Sequence, residues 1–257
     1  MTTSITTISR ADLVNYLDEQ LQVSKIRDYC PNGLQVEGRH TIAKIVTGVT
    51  ASAALLDAAI AAGADAILVH HGYFWRGEDY RVTGMKYQRL RKLIMNEINL
   101  LAYHLPLDMH AEWGNNISLA RQLGLQADGR FGENELGWLG RMPDQANWTL
   151  ADFASHIERV LQRQPTLIGD PGAKLGRIGW CTGAAQSMME AAVQAGAQVY
   201  LSGEISEPTV HLARETGVAY LACGHHATER YGVQALGQHL ASQFGIAHEF
   251  IDIDNPV

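Results

Sequence analysis

Residues 44–72, "KIVTGVTASAALLDAAIAAGADAILVHHG", align without a gap on residues 177–205, "RIGWCTGAAQSMMEAAVQAGAQVYLSGEI". Ile45 falls opposite Ile178, Ala58 and Ala59 opposite Ala191 and Ala192, Gly63 opposite Gly196, and Leu68 opposite Leu201. Alanine supplies much of the identity and is at home in any helix, so the order of elements carries more weight than the matches. Each copy reads as a short apolar strand, a turn, an Ala-rich helix closed by Gly, and a second short apolar strand, which is a βαβ unit. A further correspondence follows. "INLLAYHLPLD" (98–108) and "VAYLACGHHATE" (218–229) each run from an apolar strand to a His and, four residues on, a carboxylate. The expected fold is α/β, with two pseudo-repeated halves whose mostly parallel sheets are flanked by helices.

The first half is assigned to residues 1–125 plus about 235–257, and the second to residues 126–234. Between the repeats, residues 126–176 are rich in Gly and polar residues, which suggests a strand or hairpin followed by a helix near "LADFASHIERVLQ" (150–162). "SRADLVNYLDEQL" reads as a first helix with Ser9 as its N-cap, and "HEFIDIDNPV" as a final strand.

Composition narrows the functional classes. A chain of 257 residues, 46% apolar and 18% charged, can bury a sizeable core. A formal net charge of −7 gives no basic footprint, so nucleic-acid binding is not supported by net charge. Cys30, Cys181 and Cys223 are scattered and odd in number, which fits structural thiols in a reducing compartment better than a disulfide framework. No basic-then-apolar leader opens the chain, and its longest hydrophobic stretch is broken by Asp57, Gly63 and Asp65, so the expectation is a cytoplasmic protein with no membrane partner.

Ligand-type side chains recur at strand ends. His70 and His71 follow "AILV", His104 and Asp108 follow "NLLAY", and His225 and Glu229 follow "AYLAC". In parallel sheets such ends share an edge, where residues distant in sequence converge. Adjacent histidines in a regular strand point to opposite faces, so the doublet can serve one site only if the strand has ended and the chain turns, as Gly72 would allow. On the first turn of a helix, His225 and Glu229 share a face, and His226 points elsewhere. Imidazoles with carboxylates suit Zn, Fe, Mn, Co or Ni better than Ca. Five candidate ligands exceed the needs of one tetrahedral ion, whereas two divalent ions would use them all. The metal site is therefore expected between the halves. No GxSxG elbow, GxxxxGK[ST] loop, GxGxxG turn or HExxH motif is present. "PNGLQVEGRH" (31–40) reads equally as a surface turn or a substrate-facing loop, and Tyr73, Phe74 and Trp75 as a pocket wall or as packing.

Together, "DYCPNGLQVEG", "KIVTGVTAS", "GADAILVHHGYFW", "HLPLDMH", "WGNN", "SGEISE", "GHHATER" and "FIDIDNP" make the chain resemble the NIF-three-like family, also called the GTP cyclohydrolase I type 2 homologue family, in its short bacterial YbgI form. The resemblance implies a two-half α/β fold, a dinuclear metal centre and a ring-shaped homohexamer. It places the ligands on His70, His71, Asp108, His225 and Glu229, with His104 near the metals but not a principal ligand. The expected activity is metal-dependent hydrolysis of a small-molecule substrate, a nucleotide or related heterocycle, with His104 or His226 as proton shuttle. The alternative is a non-catalytic metal-binding scaffold or interaction protein in stress or DNA repair pathways.

Overall fold

The computed structural model describes residues 6–143 and 147–257. The chain divides into two compact units, Met1–Gly114 with Gly232–Asp254, and Asn115–Tyr231 with Asn255–Val257. The division falls after Gly114 and not near 125, because the helix Asn115–Leu123 buries Leu119, Ala120 and Leu123 with Trp138, Phe153 and Trp180 of the second unit.

In the first unit, five strands lie in the order Ala247–Phe250, Lys44–Thr50, Ala66–His71, Asn99–Ala102, Gly33–Val36. The first four are parallel, and Gly33–Val36 closes the edge antiparallel. Ala66–His71 is the centre of this sheet. Its Ile67 and Val69 join one apolar cluster with Leu55, Leu56 and Leu93, whereas Ala66 and Leu68 join another with Leu13, Leu17 and Leu236. A strand covered on both faces reads as a continuous apolar run, which is why "AILV" does not alternate. Ile67, Leu68 and Val69 are fully buried, each contributing about 1.5–3 kcal/mol.

The second unit has six strands in the order Gln126–Phe131, Gly137–Arg141, Ile178–Trp180, Val199–Ser202, Ala219–Ala222, Thr166–Ile168. Only Ile178–Trp180, Val199–Ser202 and Ala219–Ala222 run parallel, so this sheet is more mixed than the sequence suggests. The polar, Gly-rich connection supplies the antiparallel strands; of these, Gln126–Phe131 and Gly137–Arg141 are neighbours joined by a short turn, which permits only antiparallel pairing.

Caps set the helix starts. Ser9 accepts a hydrogen bond from the Asp12 N–H at the head of Arg10–Gln20, and Thr149 forms a capping box with Asp152 at the head of Leu150–Leu161. Ser52 caps Ala53–Ala61, but the residue opposite it in the alignment is Ala185, which has no side-chain acceptor. The aligned segment opens with a 3-10 turn, Gln186–Met188, and its α-helix runs Met189–Gln194. The final strand is also short: its ladder ends at Phe250, with one more bond from the Ile251 N–H to the Thr47 carbonyl. Among the described residues no helix is long and apolar enough to cross a membrane. All three cysteines are buried and none is in a disulfide.

Candidate metal centre

The strand Ala66–His71 extends through both histidines, so the doublet does not lie beyond a strand end as the sequence suggests. The ladders on its two sides stop at different places. Pairing with Asn99–Ala102 ends at Val69↔Ala102, while pairing with Lys44–Thr50 reaches Thr50↔His71. Released on one side, the final residues bring the two rings to 4.5 Å between centroids, inclined at 45°. Gly72 is needed for room: a Cβ there would meet Gln35 Oε1 at 2.2 Å and the Ala102 Cβ at 2.6 Å. Positive φ is not the reason, since Gly72 is not among the residues that adopt it.

His70, His71 and His104 each place one ligand nitrogen within 4.8 Å of the others. His70 is fully buried, and its Nδ1 donates to the Tyr103 carbonyl at 3.0 Å. The His71 Nδ1 lies 3.0 Å from Thr50 Oγ1, and the His104 Nδ1 lies 2.8 Å from Asp28 Oδ1. In each ring Nδ1 is held by the chain, which makes Nε2 the nitrogen for a ligand. Asp108, on the short helix Leu105–Met109, puts Oδ1 3.5 Å from the His70 Nε2.

Asp28 is an unusually saturated carboxylate. Oδ1 accepts from the Tyr29 N–H at 2.6 Å and from His104 Nδ1, and Oδ2 accepts from Asn32 Nδ2 and the Leu105 N–H, both at 2.9 Å. Burial pushes its pKa up, but the His104 hydrogen bond and charge, with the bonds from Asn32 and Tyr29, outweigh it and hold the group at about 2. Because folding lowers this pKa from 3.8, its contribution is complete above about pH 4 and is lost as the pH falls through 2. The loss is about 2 kcal/mol. Urea unfolding followed from pH 5 to pH 2 is expected to show that decline in the wild type and a flatter profile in Asp28→Asn.

The helix His225–Phe244 begins at His225, so His225 and Glu229, both in the second unit, share a face of its first turns. His225 Nδ1 lies 2.7 Å from Glu204 Oε1, and its Nε2 lies 3.1 Å from Glu229 Oε2. Burial lowers the His225 pKa, yet Glu229 and Glu204 together raise it to about 9. The loop at Gly183 is tied down around this pair. Its N–H donates to Thr228 Oγ1, and its carbonyl accepts from Ser202 Oγ and from the Gly203 N–H. His226 is 9% exposed, and its backbone N–H donates to the Val257 carbonyl.

Several residues here were not legible in the sequence. Asp28 and Glu204 orient imidazoles, Asn32 accepts the His104 N–H at 2.7 Å, and Trp75 packs edge-on against His104 with centroids 4.9 Å apart. The loop "PNGLQVEGRH" thus builds the site through Asn32 and Gln35. Tyr73, by contrast, is packing: it is buried and its hydroxyl donates to the Ala51 carbonyl. One signal existed. In the gapless alignment Glu204 stands opposite His71.

An α/β chain with imidazoles and carboxylates gathered at the carboxyl ends of its strands defines a class of candidate metal-binding proteins. The chain belongs to the Duf34/NIF3 (NGG1p interacting factor 3) family, whose profile matches residues 8–256. A "GTP cyclohydrolase 1 type 2 homolog" of Pseudomonas aeruginosa is 54% identical over 252 residues, spanning 97% of this chain and 99% of that one. The protein of the same description from Allochromatium vinosum is 50% identical, spanning 95% and 96%. Among solved structures, "protein ybgI, unknown function" superposes with a TM-score of 0.92 at 45% identity, over 97% of this chain and 100% of that one.

Proposed function

We propose that the chain is a metal-dependent hydrolase acting on a nucleotide or related heterocycle, with two divalent ions held by His70, His71, Asp108, His225 and Glu229. The observation that carries this is the treatment of the imidazoles. His70, His71 and His225 each have Nδ1 engaged by a carbonyl, hydroxyl or carboxylate of the chain. That is the arrangement metal-binding histidines adopt, since the outer partner fixes tautomer and ring direction and raises the basicity of the other nitrogen. Two carboxylates complete a donor set that suits Zn, Fe, Mn, Co or Ni.

A bound pair of divalent ions would supply Lewis acidity and make water acidic enough to react near neutral pH. The chain's own residues do the rest. His70 and His71 come from one rigid strand, and Glu229 from the first turns of a helix, so the ligands need little ordering when ions arrive. His104, beside them but turned by Asp28, is the proton shuttle. His226 is the weaker candidate for that role, with its backbone tied to Val257. The relatives' description points to a purine nucleotide as the first substrate to test. Metal-loaded protein incubated with a panel of nucleoside triphosphates, purine and pteridine amides is expected to hydrolyse at least one. Full metal content with no turnover across the panel would favour the non-catalytic scaffold.

Self-association into a ring-shaped homohexamer is part of the same proposal. It is supported by large exposed apolar side chains on one stretch of chain, Tyr80, Val82, Met85, Ile94 and Met95, the kind of surface that self-association covers. Light scattering after gel filtration is expected to give six times the 28.2 kDa chain mass, and a monomer mass would overturn it.

A further inference from the structure

Asp28, Cys30 and His104 form a second group of ligand-type atoms within 4.8 Å of one another, and a metal is the first use to consider for them. Their chemistry argues against it. A carboxylate offers about four lone-pair positions, and Asp28 has a donor in each: the Tyr29 N–H, His104 Nδ1, Asn32 Nδ2 and the Leu105 N–H. Burial and the neighbouring Asp28 charge push the Cys30 thiol up to about 12, so it stays protonated. The group therefore serves His104 itself.

We propose that Asp28 is the positioning residue for His104: by accepting from Nδ1 it holds the neutral imidazole as the Nδ1–H tautomer and makes Nε2 the proton-accepting atom beside His70 and His71. This rests on the proton-shuttle role given to His104 above. Two backbone-level contacts fix the ring's place, the His104 N–H to Asn32 Oδ1 at 2.7 Å and the Leu105 N–H to Asp28 Oδ2. Trp75 closes one side, with its indole Nε1 donating to the Gly72 carbonyl. Asp28 thereby sets both the angle and the tautomer of a ring that its own loop and the indole enclose. His225 is held in the same way, by Glu204 Oε1 at its Nδ1, whereas His70 uses the neutral Tyr103 carbonyl.

The test is the tautomer of His104 in 15N-labelled, metal-depleted protein, read from two-bond proton–nitrogen correlation spectra at mildly alkaline pH. The wild type is expected to carry its proton on Nδ1. In Asp28→Asn the ratio is expected to move toward Nε2–H by about tenfold or more, the weight of one hydrogen bond to a charged acceptor. A wild-type proton on Nε2 overturns the proposal, as does an Asp28→Asn protein that keeps the wild-type ratio. If the variant does not fold, the wild-type spectrum alone decides. Metal content measured on the same samples judges the hydrolase proposal separately, because its loss would leave the tautomer assignment standing.

Discussion

Gly183→Ala is expected to weaken divalent-metal binding by at least about 10- to 100-fold, the scale on which disturbed ligand geometry acts, and Gly196→Ala is expected to leave it unchanged. A Cβ on Gly183 would stand 2.1 Å from Glu229 Oε1 and 3.1 Å from His225 Nε2, the two atoms that would carry an ion. The loop cannot retreat, because Ser202, Gly203 and Thr228 hold both its peptide groups. Glu229 must move instead. Gly183 has φ +68° and Gly196 has φ +85°, so both substitutions carry backbone strain of about 1–2 kcal/mol. Only Gly183 has neighbours, since a Cβ on Gly196 meets nothing within 4 Å. Thermal unfolding should therefore fall in both variants, and isothermal titration with Zn or Co should change only in the first. Equal losses of affinity in the two would show that strain, and not the ligand pair, governs binding.

The second large effect concerns His70 and His225, one from each set of ligands. His70→Gln with His225→Gln is expected to leave protein that retains no divalent metal through gel filtration. Glutamine suits the test because its amide can still donate to the Tyr103 carbonyl in place of His70 Nδ1, which keeps the buried acceptor satisfied. Circular dichroism should show the fold intact. Each single substitution leaves the other set of ligands whole and is expected to reduce metal content less than the pair does. Undiminished metal in the double variant would remove these two histidines from the ligand assignment.

The sequence disclosed the ligand-type residues because the signal is local: apolar runs that lead to a His, with a carboxylate four residues on at His104 and His225. The caps at Ser9 and Thr149 were equally local, and only the first was named in advance. What stayed hidden is tertiary. Asp28 belongs to a loop of ordinary turn residues, and its partner His104 lies 76 positions further along. Glu204 was visible only as the residue aligned with His71, and alignment does not say that a side chain will reach Nδ1 of His225. The doublet was misplaced for a related reason, since a strand's end is set by when each neighbour stops pairing, and the two neighbours of Ala66–His71 stop at different residues. Similarly, Met189–Gln194 starts late and without a side-chain cap, a detail that apolar periodicity does not register.

The central claim, two divalent ions held by His70, His71, Asp108, His225 and Glu229, is tested most directly by counting. Metal-depleted wild-type protein is titrated with Co under anaerobic conditions, and bound metal per chain is measured after removal of excess. The account predicts saturation at two equivalents, falling to none in His70→Gln with His225→Gln. Saturation at one equivalent or fewer in the wild type would contradict it.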